Sequence, residues 1–384
     1  MFSANFRFEE NQTTIKFPCD EEYLSVRFNE LGVADKLKTS QYMTGTDYTP
    51  LKRLITDFVD VDELNFLAKR LDSFDNNELN IFEAVCEARL SRSVMDMINV
   101  TYNINNYTLV QDMSSMENIG RTHFKAVHIG WNPGEMDNVD LAKIGRELMN
   151  SGKGKMTEKG MLFEHEGASF INEYDNEYDG HTFPEYCYDC CKMSAVLERG
   201  GLKEYVYLPA QSLSIYKALK RLGTNNIAEC SVKIKEIELD NLWFEKISDI
   251  ASSENLYAAN NVMWAVEKSE RNNELDKLEA VIEFAGKHDS ASIIKLQENM
   301  DNFRYYDNVY DAESLGRALI DENEDYRIHS DVADFFMFEQ YAEAIMDNND
   351  CKFCDNGAVL LEGTTLVEIL NEDNQSEEIT MGGM

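Results

Sequence analysis

The chain has 384 residues, with 71 acidic against 36 basic side chains and a formal net charge of −35, yet 43% of its residues are hydrophobic and 11% are aromatic. Disordered acidic chains lack this aliphatic and aromatic content, so the chain is predicted to fold with its charge on the surface. Such a surface repels nucleic acid and anionic membranes and attracts basic proteins. Direct binding to nucleic acid or to a membrane is therefore not expected.

The predicted compartment is the cytoplasm. The sequence has no apolar run of about 18 residues, and its N-terminus lacks a basic stretch followed by an apolar one. Thiols stay reduced in that compartment, so the eight cysteines are expected to be free.

The sequence contains a long internal repeat. Residues 76–121 align without a gap onto residues 272–317 at an offset of 196, and 14 of these 46 positions are identical. Upstream, Phe17-Pro18 is echoed by Leu208-Pro209 at an offset of 191. Units of about 190 residues are too long for a solenoid repeat and have the size of one or two compact domains. The pattern predicts a tandem duplication.

Each unit is predicted to begin with short strands and to continue as helices. The strands are expected at Thr14–Phe17, Glu204–Leu208 and Ser231–Leu239. Apolar residues at helical spacing after Asp62 predict an amphipathic helix that this aspartate caps. The next helix places Leu79, Phe82 and Cys86 on one face, and its copy keeps apolar residues at the same positions. The predicted fold class is α+β, a tandem duplication of a small α+β portion followed by helical subdomains, in an elongated molecule.

The predicted boundaries follow from the repeat and from composition. A first unit is expected over residues 1–149 and a second over residues 196–370. The stretch 150–195, rich in Gly, Glu, Asp and Tyr, is interpreted as an acidic linker region. Residues 371–384 are interpreted as a mobile acidic tail.

Acidic side chains concentrate near the C-terminus, where residues 301–384 hold 21 acids against 4 bases. A helix is predicted over Ser330–Asp347. Its apolar stripe is expected to consist of Val332, Phe335, Phe336, Phe338, Tyr341, Ala342 and Ile345. The predicted partner-binding face comprises Asp311, Glu313, Asp321, Glu322, Glu324, Asp325, Asp331, Asp334, Glu339, Glu343 and Asp347. The alternative is that these are the solvated sides of ordinary amphipathic helices, but the net charge far exceeds the magnitude of about 2 to 8 that solubility requires of a small domain.

Two short motifs carry a family resemblance. The first is Glu117-Asn118-Ile119-Gly120-Arg121, which the second unit repeats as Glu313-Ser314-Leu315-Gly316-Arg317. The second runs from Asp140 through Gly145-Arg146-Glu147, and in the second unit it has become Met337 through Ala342-Glu343-Ala344. In this order of elements each unit resembles the ArdA-like antirestriction proteins of mobile elements and phages.

The resemblance implies a function and an assembly. Members of that family are acidic DNA mimics that occupy the DNA-binding groove of Type I restriction-modification enzymes, and the implied partners are the methyltransferase and specificity subunits of such an enzyme. They pair as homodimers, so a covalent tandem is expected to form a pseudo-dimer within one monomeric chain. The alternative arrangement, two units joined as beads by the linker, stays open. Inhibition of another basic nucleic-acid-binding protein also stays open.

The motifs of enzymes are missing from the sequence. Lys153-Gly154-Lys155 lacks the glycine spacing of a phosphate-binding loop, and the six histidines form no paired metal motif on a helix. Neither a catalytic residue nor a cofactor is predicted. The remaining alternative is a zinc-binding module, because two C-x-x-C pairs can build a tetrahedral site. These pairs are Cys187 with Cys190 and Cys351 with Cys354, and they are predicted to be thiols without metal.

Overall fold

A computed structural model describes residues 1–128, 136, 139–176, 182–186, 191–237, 243–322, 328–329 and 335–371 of the chain. Helices combine with small sheets whose registered strand pairs are antiparallel, which confirms the predicted α+β class. Within these residues, none of the helices has the length and the apolar character needed to cross a bilayer.

Thirteen strands lie in the described part of the chain. They are β1 Phe2–Phe8, β2 Asn11–Phe17, β3 Ser40–Thr46, β4 Phe58–Asp60, β5 Tyr107–Val110, β6 Lys155–Thr157, β7 Gly160–Glu164, β8 Met193–Arg199, β9 Leu202–Leu208, β10 Ser231–Glu236, β11 Phe303–Asp307, β12 Asp350–Cys354 and β13 Gly357–Leu361. The helices of the same residues are α1 Glu21–Leu31, α2 Val61–Asp72, α3 Asn76–Arg89, α4 Val94–Thr101, α5 Met116–Val127, α6 Leu141–Asn150, α7 Ser212–Arg221, α8 Phe244–Ser253, α9 Leu256–Arg271, α10 Leu275–Ala285, α11 Ser290–Glu298, α12 Ala312–Glu322, α13 Phe338–Met346 and α14 Leu366–Asn371.

The chain divides into two compact units. Unit 1 comprises Met1–Cys190, Val196–Val206 and Gln211–Ser231. Unit 2 comprises Cys191–Ala195, Tyr207–Ala210 and Val232–Met384. The helix α7 and most of β9 therefore belong to unit 1, although both lie in the second half of the sequence repeat.

The first sheet shows how alternation produces a core. It has the order β2-β1-β3-β4, and β1 pairs with β2 so that Phe2 faces Phe17 and Ala4 faces Ile15. Alternate residues of both strands are buried, because side chains on a strand point to opposite faces in turn. The helix α1 covers this apolar face with Leu24, Phe28 and Leu31, and these residues join one continuous core.

Two further sheets show the duplication in three dimensions. The sheet of unit 1 has the order β5-β7-β6, and the sheet of unit 2 has the order β11-β13-β12. In both, the chain leaves the first strand, forms a helix pair, and returns as an antiparallel hairpin that places its last strand in the centre. The helix pairs are α5 with α6 and α12 with α13.

A repeated asparagine contact also marks the duplication. Asn65 of α2 accepts from the backbone nitrogen of Cys19 at 2.9 Å and donates to its carbonyl at 2.8 Å. In unit 2, Asn260 of α9 makes the same two contacts with Ala210, at 2.6 and 2.8 Å. Cys19 and Ala210, the two residues that these asparagines contact, each follow a proline whose peptide bond is cis.

The stretch assigned above to a linker region is partly folded into unit 1. It contains β6 and β7, and Tyr174 has only 1% of its surface exposed. The Asn99 side chain holds Tyr174 in place with two hydrogen bonds. It donates to the backbone carbonyl of Tyr174 at 2.7 Å and accepts from the backbone nitrogen of Tyr174 at 2.9 Å. The polar composition of this stretch concealed these long-range contacts.

The predicted cap of α2 was wrong by two positions. The helix begins at Val61, and Asp60 caps it by accepting from the backbone nitrogens of Asp62 and Glu63 at 2.8 and 3.0 Å. The helix starts earlier because Val61 is fully buried and extends the apolar face. Asp62 is thereby free of capping and takes part in a buried ion pair with Lys217.

Candidate partner-binding surface

The predicted acidic residues are carried mainly by the helix pair α12–α13. At Gly316 a Cβ atom would lie 2.0 Å from the carbonyl oxygen of Phe338, so only glycine permits the helices to approach this closely. Leu315, Leu319 and Ala342 fill the contact between the two helices. The pair is therefore a rigid platform whose outer side chains face solvent.

The helix pair α5–α6 of unit 1 crosses in the same way. A Cβ on Gly120 would lie 1.8 Å from the carbonyl oxygen of Leu141, and one on Gly145 would lie 1.9 Å from that of Met116. In the second copy, alanine at position 342 replaces the second of these glycines and is fully buried. The glycines of both motifs thus serve helix packing.

The glutamate and the arginine of the first motif also have a structural role. Arg121 pairs with Glu117 at 2.6 Å, and Arg317 pairs with Glu313 at 2.8 Å, each across one helical turn. The Arg317 guanidinium additionally lies over the Phe338 ring, 4.2 Å from its centroid. The motif is explained by the helix pair itself and does not by itself mark a binding site.

The predicted helix over Ser330–Asp347 is shorter in its described part, because α13 begins at Phe338. Phe338 and Ala342 are buried as predicted. Phe335 and Phe336 are exposed, so their assignment to a buried apolar stripe was wrong. The predicted helical periodicity does not hold here, because residues 335 and 336 form a turn and a bend. Five members of the predicted stripe and face lie outside the described residues, as does Ser330, the predicted start of the helix: Val332, Glu324, Asp325, Asp331 and Asp334.

Three of the predicted carboxylates are engaged within the fold. Asp311 accepts from the backbone nitrogen of Ser314 at 2.8 Å at the start of α12, and this bond lowers the pKa of its carboxyl group. Glu313 pairs with the arginine one turn later. Glu322 is bonded by Arg304 and, at 2.8 Å, by the Tyr306 hydroxyl, and the bond from Arg304 lowers its pKa. These groups stabilise unit 2.

Four other carboxylates, which we call the open carboxylates, are exposed and form no ion pair with any described residue. They are Asp321, Glu339, Glu343 and Asp347. The last three recur every four residues along α13, so they form a row with a spacing of about 6 Å. Like charges at this spacing repel one another, and the last member caps the negative end of the helix dipole. The row therefore costs stability.

Equivalent positions of the first helix pair carry the opposite charge. Lys125 stands where the second copy has Asp321, and Arg146 stands where it has Glu343. Residues 112–126 with 140–150 contain four acids and four bases, whereas residues 308–322 with 337–347 contain seven acids and one base. The same scaffold thus carries a balanced surface in unit 1 and an acidic one in unit 2.

The sequence reasoning missed an apolar feature beside the acidic row, at residues 335–337, which we call the apolar turn. Phe335 is 84% and Met337 is 65% exposed. Phe336 packs back on Phe338, with ring centroids 4.8 Å apart. The pair of phenylalanines in an otherwise acidic stretch signals this feature in the sequence, but both residues fall in the predicted apolar stripe of the helix.

The cysteine pairs are not brought together as a metal site in the described part of the chain. Cys187 and Cys190 lie outside it. Cys354 is buried, and its thiol contacts the carbonyl oxygen of Ala280 at 3.4 Å. Burial raises the pKa of the Cys354 thiol to about 11 and also raises that of Cys351, so both are protonated at neutral pH. No group of three or more His, Cys, Asp or Glu side chains among the described residues is arranged to hold a metal ion.

Comparison with protein-family models and with curated proteins finds no match to this chain.

Proposed function

We propose that the chain is a cytoplasmic DNA-mimic inhibitor, which occupies the DNA-binding groove of a basic host-defence protein, foremost a Type I restriction-modification complex. The inhibitor acts by occupancy and has no turnover. Its binding surface is the outer side of α12–α13. The resemblance of the two motifs suggests the target class, and the excess of acidic side chains supports it.

The row of open carboxylates on α13 is the observation that carries this proposal. These side chains contribute no ion pair to the described fold and repel one another, so folding alone does not account for them. Selection for a stable protein removes such arrangements, whereas selection for binding keeps them at a cost in stability. A protein groove that binds DNA phosphates carries positive charge, and this charge can pair with the carboxylates of the row.

A monomeric inhibitor is the proposed assembly. Within unit 1, Lys217 and Arg221 come from the second half of the sequence repeat, and both form ion pairs with Asp62 of the first half. This contact supports an internal pseudo-dimer that does not require a second molecule. The proposed species in light scattering has the chain mass of 44.1 kDa.

The test is inhibition of a purified Type I restriction-modification complex by a variant in which the four open carboxylates are neutralised. In Asp321→Asn/Glu339→Gln/Glu343→Gln/Asp347→Asn the affinity is expected to fall about ten- to a hundredfold at physiological salt, because each long-range contact contributes a fraction of a kcal/mol or more. The parent should be displaced by duplex DNA, and its affinity should decrease with salt. Inhibition below one chain per complex contradicts occupancy as the mechanism.

A matched control removes the same amount of charge from unit 1. Glu9, Glu10, Asp57 and Glu158 are exposed, so Glu9→Gln/Glu10→Gln/Asp57→Asn/Glu158→Gln changes the net charge equally. This variant should inhibit nearly as well as the parent. An equal loss in both variants points to net charge alone and removes α13 from the proposed surface. If the chain binds another basic DNA-binding protein and does not bind the restriction-modification complex, that other protein becomes the proposed target.

A further inference from the structure

The apolar turn precedes α13 directly, and Glu339, the first open carboxylate of that helix, follows it by two residues in the chain. Phe335 and Met337 expose most of their surface, while Phe336 rests on Phe338 and on Tyr341. Large exposed apolar side chains that adjoin one another are unusual on a soluble surface and mark interaction sites. In this protein the exposed apolar side chains are followed in the chain by carboxylates, whereas a typical surface carries charges of both signs.

The same turn has also lost a stabilising feature that the first copy keeps. In unit 1, Asp140 caps α6 by accepting from the backbone nitrogen of Lys143 at 2.8 Å. The equivalent position before α13 is Met337, and this helix has no side-chain cap. A side chain that would satisfy the helix terminus has been replaced by one that exposes apolar surface. Neither change benefits the isolated fold.

We propose that Phe335 and Met337 form an apolar anchor, which inserts into an apolar pocket at the border of the basic groove that the open carboxylates occupy. This inference rests on the proposed function and adds a specificity determinant to it. Carboxylates that stand in for DNA phosphates contribute negative charge without selecting among basic proteins, so a purely electrostatic mimic binds any basic groove. An apolar anchor selects the grooves that offer a matching pocket and slows dissociation from them.

Charge complementarity identifies the occupant. A second copy of this chain would bring another acidic row against Glu339, Glu343 and Asp347, and like charges oppose that contact. An anionic membrane is opposed in the same way. A basic protein with an apolar pocket satisfies both parts of the surface.

The experiment compares Phe335→Ala and Met337→Asn with the parent on two probes: the purified Type I restriction-modification complex and polylysine, which has charge but no pocket. On the complex, each variant should bind about tenfold more weakly, because an exposed side chain that becomes buried contributes on the order of one tenfold step. On polylysine both should bind as the parent does. The slope of affinity against salt should stay unchanged, unlike that of the variant with neutralised carboxylates.

The asparagine variant separates binding from folding. Asn is a good N-cap, so Met337→Asn should raise the thermal midpoint while it lowers affinity, and a merely structural role cannot produce these opposite signs. Phe335→Leu should retain most of the affinity. The control is Phe58→Ala, because Phe58 is 72% exposed in unit 1 and should be dispensable for binding.

The outcomes distinguish the two proposals. If the parent binds the complex and Phe335→Ala and Met337→Asn bind equally well, the anchor is overturned and the mimic stands. If the parent fails to bind or to inhibit the complex, the proposed function falls, and the anchor falls with it. A parent dimer that Phe335→Ala dissociates in sedimentation assigns the apolar turn to self-association and overturns the anchor.

Discussion

Lys217 donates a 2.7 Å hydrogen bond to the carboxylate of Asp62, 155 positions earlier in the chain. The lysine side chain is only 5% exposed and also contacts Glu21 at 2.9 Å. Burial by itself would lower the pKa of Lys217, but Asp62 and Glu21 raise it above its ordinary value. Within unit 1, one buried cation therefore joins the start of the second repeat to the first.

Replacing Lys217 by methionine should destabilise unit 1 by about 3 to 5 kcal/mol, because two largely buried carboxylates, 16% and 13% exposed, lose their nearest cation. Urea unfolding at pH 7 measures the loss. Lys220→Met is the control, since this lysine is exposed on the same helix. A loss below about 1 kcal/mol in the Lys217 variant would mean that the buried pair contributes little net stability.

Replacing Glu63 by glutamine should stabilise the protein at alkaline pH. Glu63 is buried and accepts a 2.8 Å hydrogen bond from the Tyr174 hydroxyl. Burial raises the pKa of Glu63 from 4.5 to about 7, and the nearby charge of Asp60 contributes to this shift. The folded state therefore holds this proton more tightly than the unfolded chain. The resulting stability is complete below pH 4.5 and is lost as pH rises through 7.

The Glu63→Gln variant cannot ionise, so its gain over the parent should grow to about 3 kcal/mol above pH 7 and vanish near pH 4.5. Thermal midpoints at pH 4.5 and pH 8 measure this difference. The exposed Glu10→Gln variant serves as the control. A constant offset at both pH values would contradict a raised pKa at Glu63.

Mild acid should weaken unit 1 through a pair of histidines. The Thr108 hydroxyl lies 3.0 Å from Nδ1 of His123 and 2.8 Å from Nε2 of His165. Burial lowers the pKa of both imidazoles, and His165 lowers that of His123 further. The unfolded chain therefore takes up protons first, so stability present above pH 6.5 is lost as the pH falls below it.

Leucine at position 123 should reduce this acid sensitivity, because the second copy has a buried Leu319 at the equivalent position. The urea midpoint of His123→Leu should change less between pH 7.5 and pH 5 than that of the parent. His288→Leu, at an exposed position, serves as the control. An unaltered pH dependence in His123→Leu would assign the effect to other groups.

Alanine at Gly316 should separate α12 from α13. The added Cβ would meet the Phe338 carbonyl at 2.0 Å, and backbone atoms cannot yield without moving a helix. The expected loss is about 2 kcal/mol or more, measured by urea unfolding. Gln340→Ala on the exposed side of α13 should cost less than about 0.5 kcal/mol. Equal stability of the two variants would show that the helices are less closely packed.

Charge reversal by Asp321→Lys/Glu343→Arg should weaken inhibition at least as much as neutralising the four open carboxylates and leave the fold intact. The first helix pair already carries Lys125 and Arg146 at these positions of the same scaffold, so the substitutions are sterically compatible. Thermal unfolding should shift upward slightly because repulsion along α13 decreases. Full inhibition by the folded variant would contradict the proposed surface.

The sequence by itself determined the duplication, the phase of its helices and the location of its excess charge. Asn76-Asn77-Glu78-Leu79 and its copy show the repeat by identity, and the burial of Phe82 and Leu278 confirms the predicted phase. These features are local or periodic, so they can be read along the chain. The α+β class followed from the same patterns.

Only the tertiary structure decided which residues are engaged and which are open. Glu322 and Glu339 look alike in sequence, yet the first is bonded by Arg304 from a strand, and the second forms no ion pair with a described residue. Tyr174 and Lys217 likewise owe their burial to partners more than 70 positions away. Hydrogen bonds and ion pairs between distant segments leave no periodic trace, because they depend on which elements pack together.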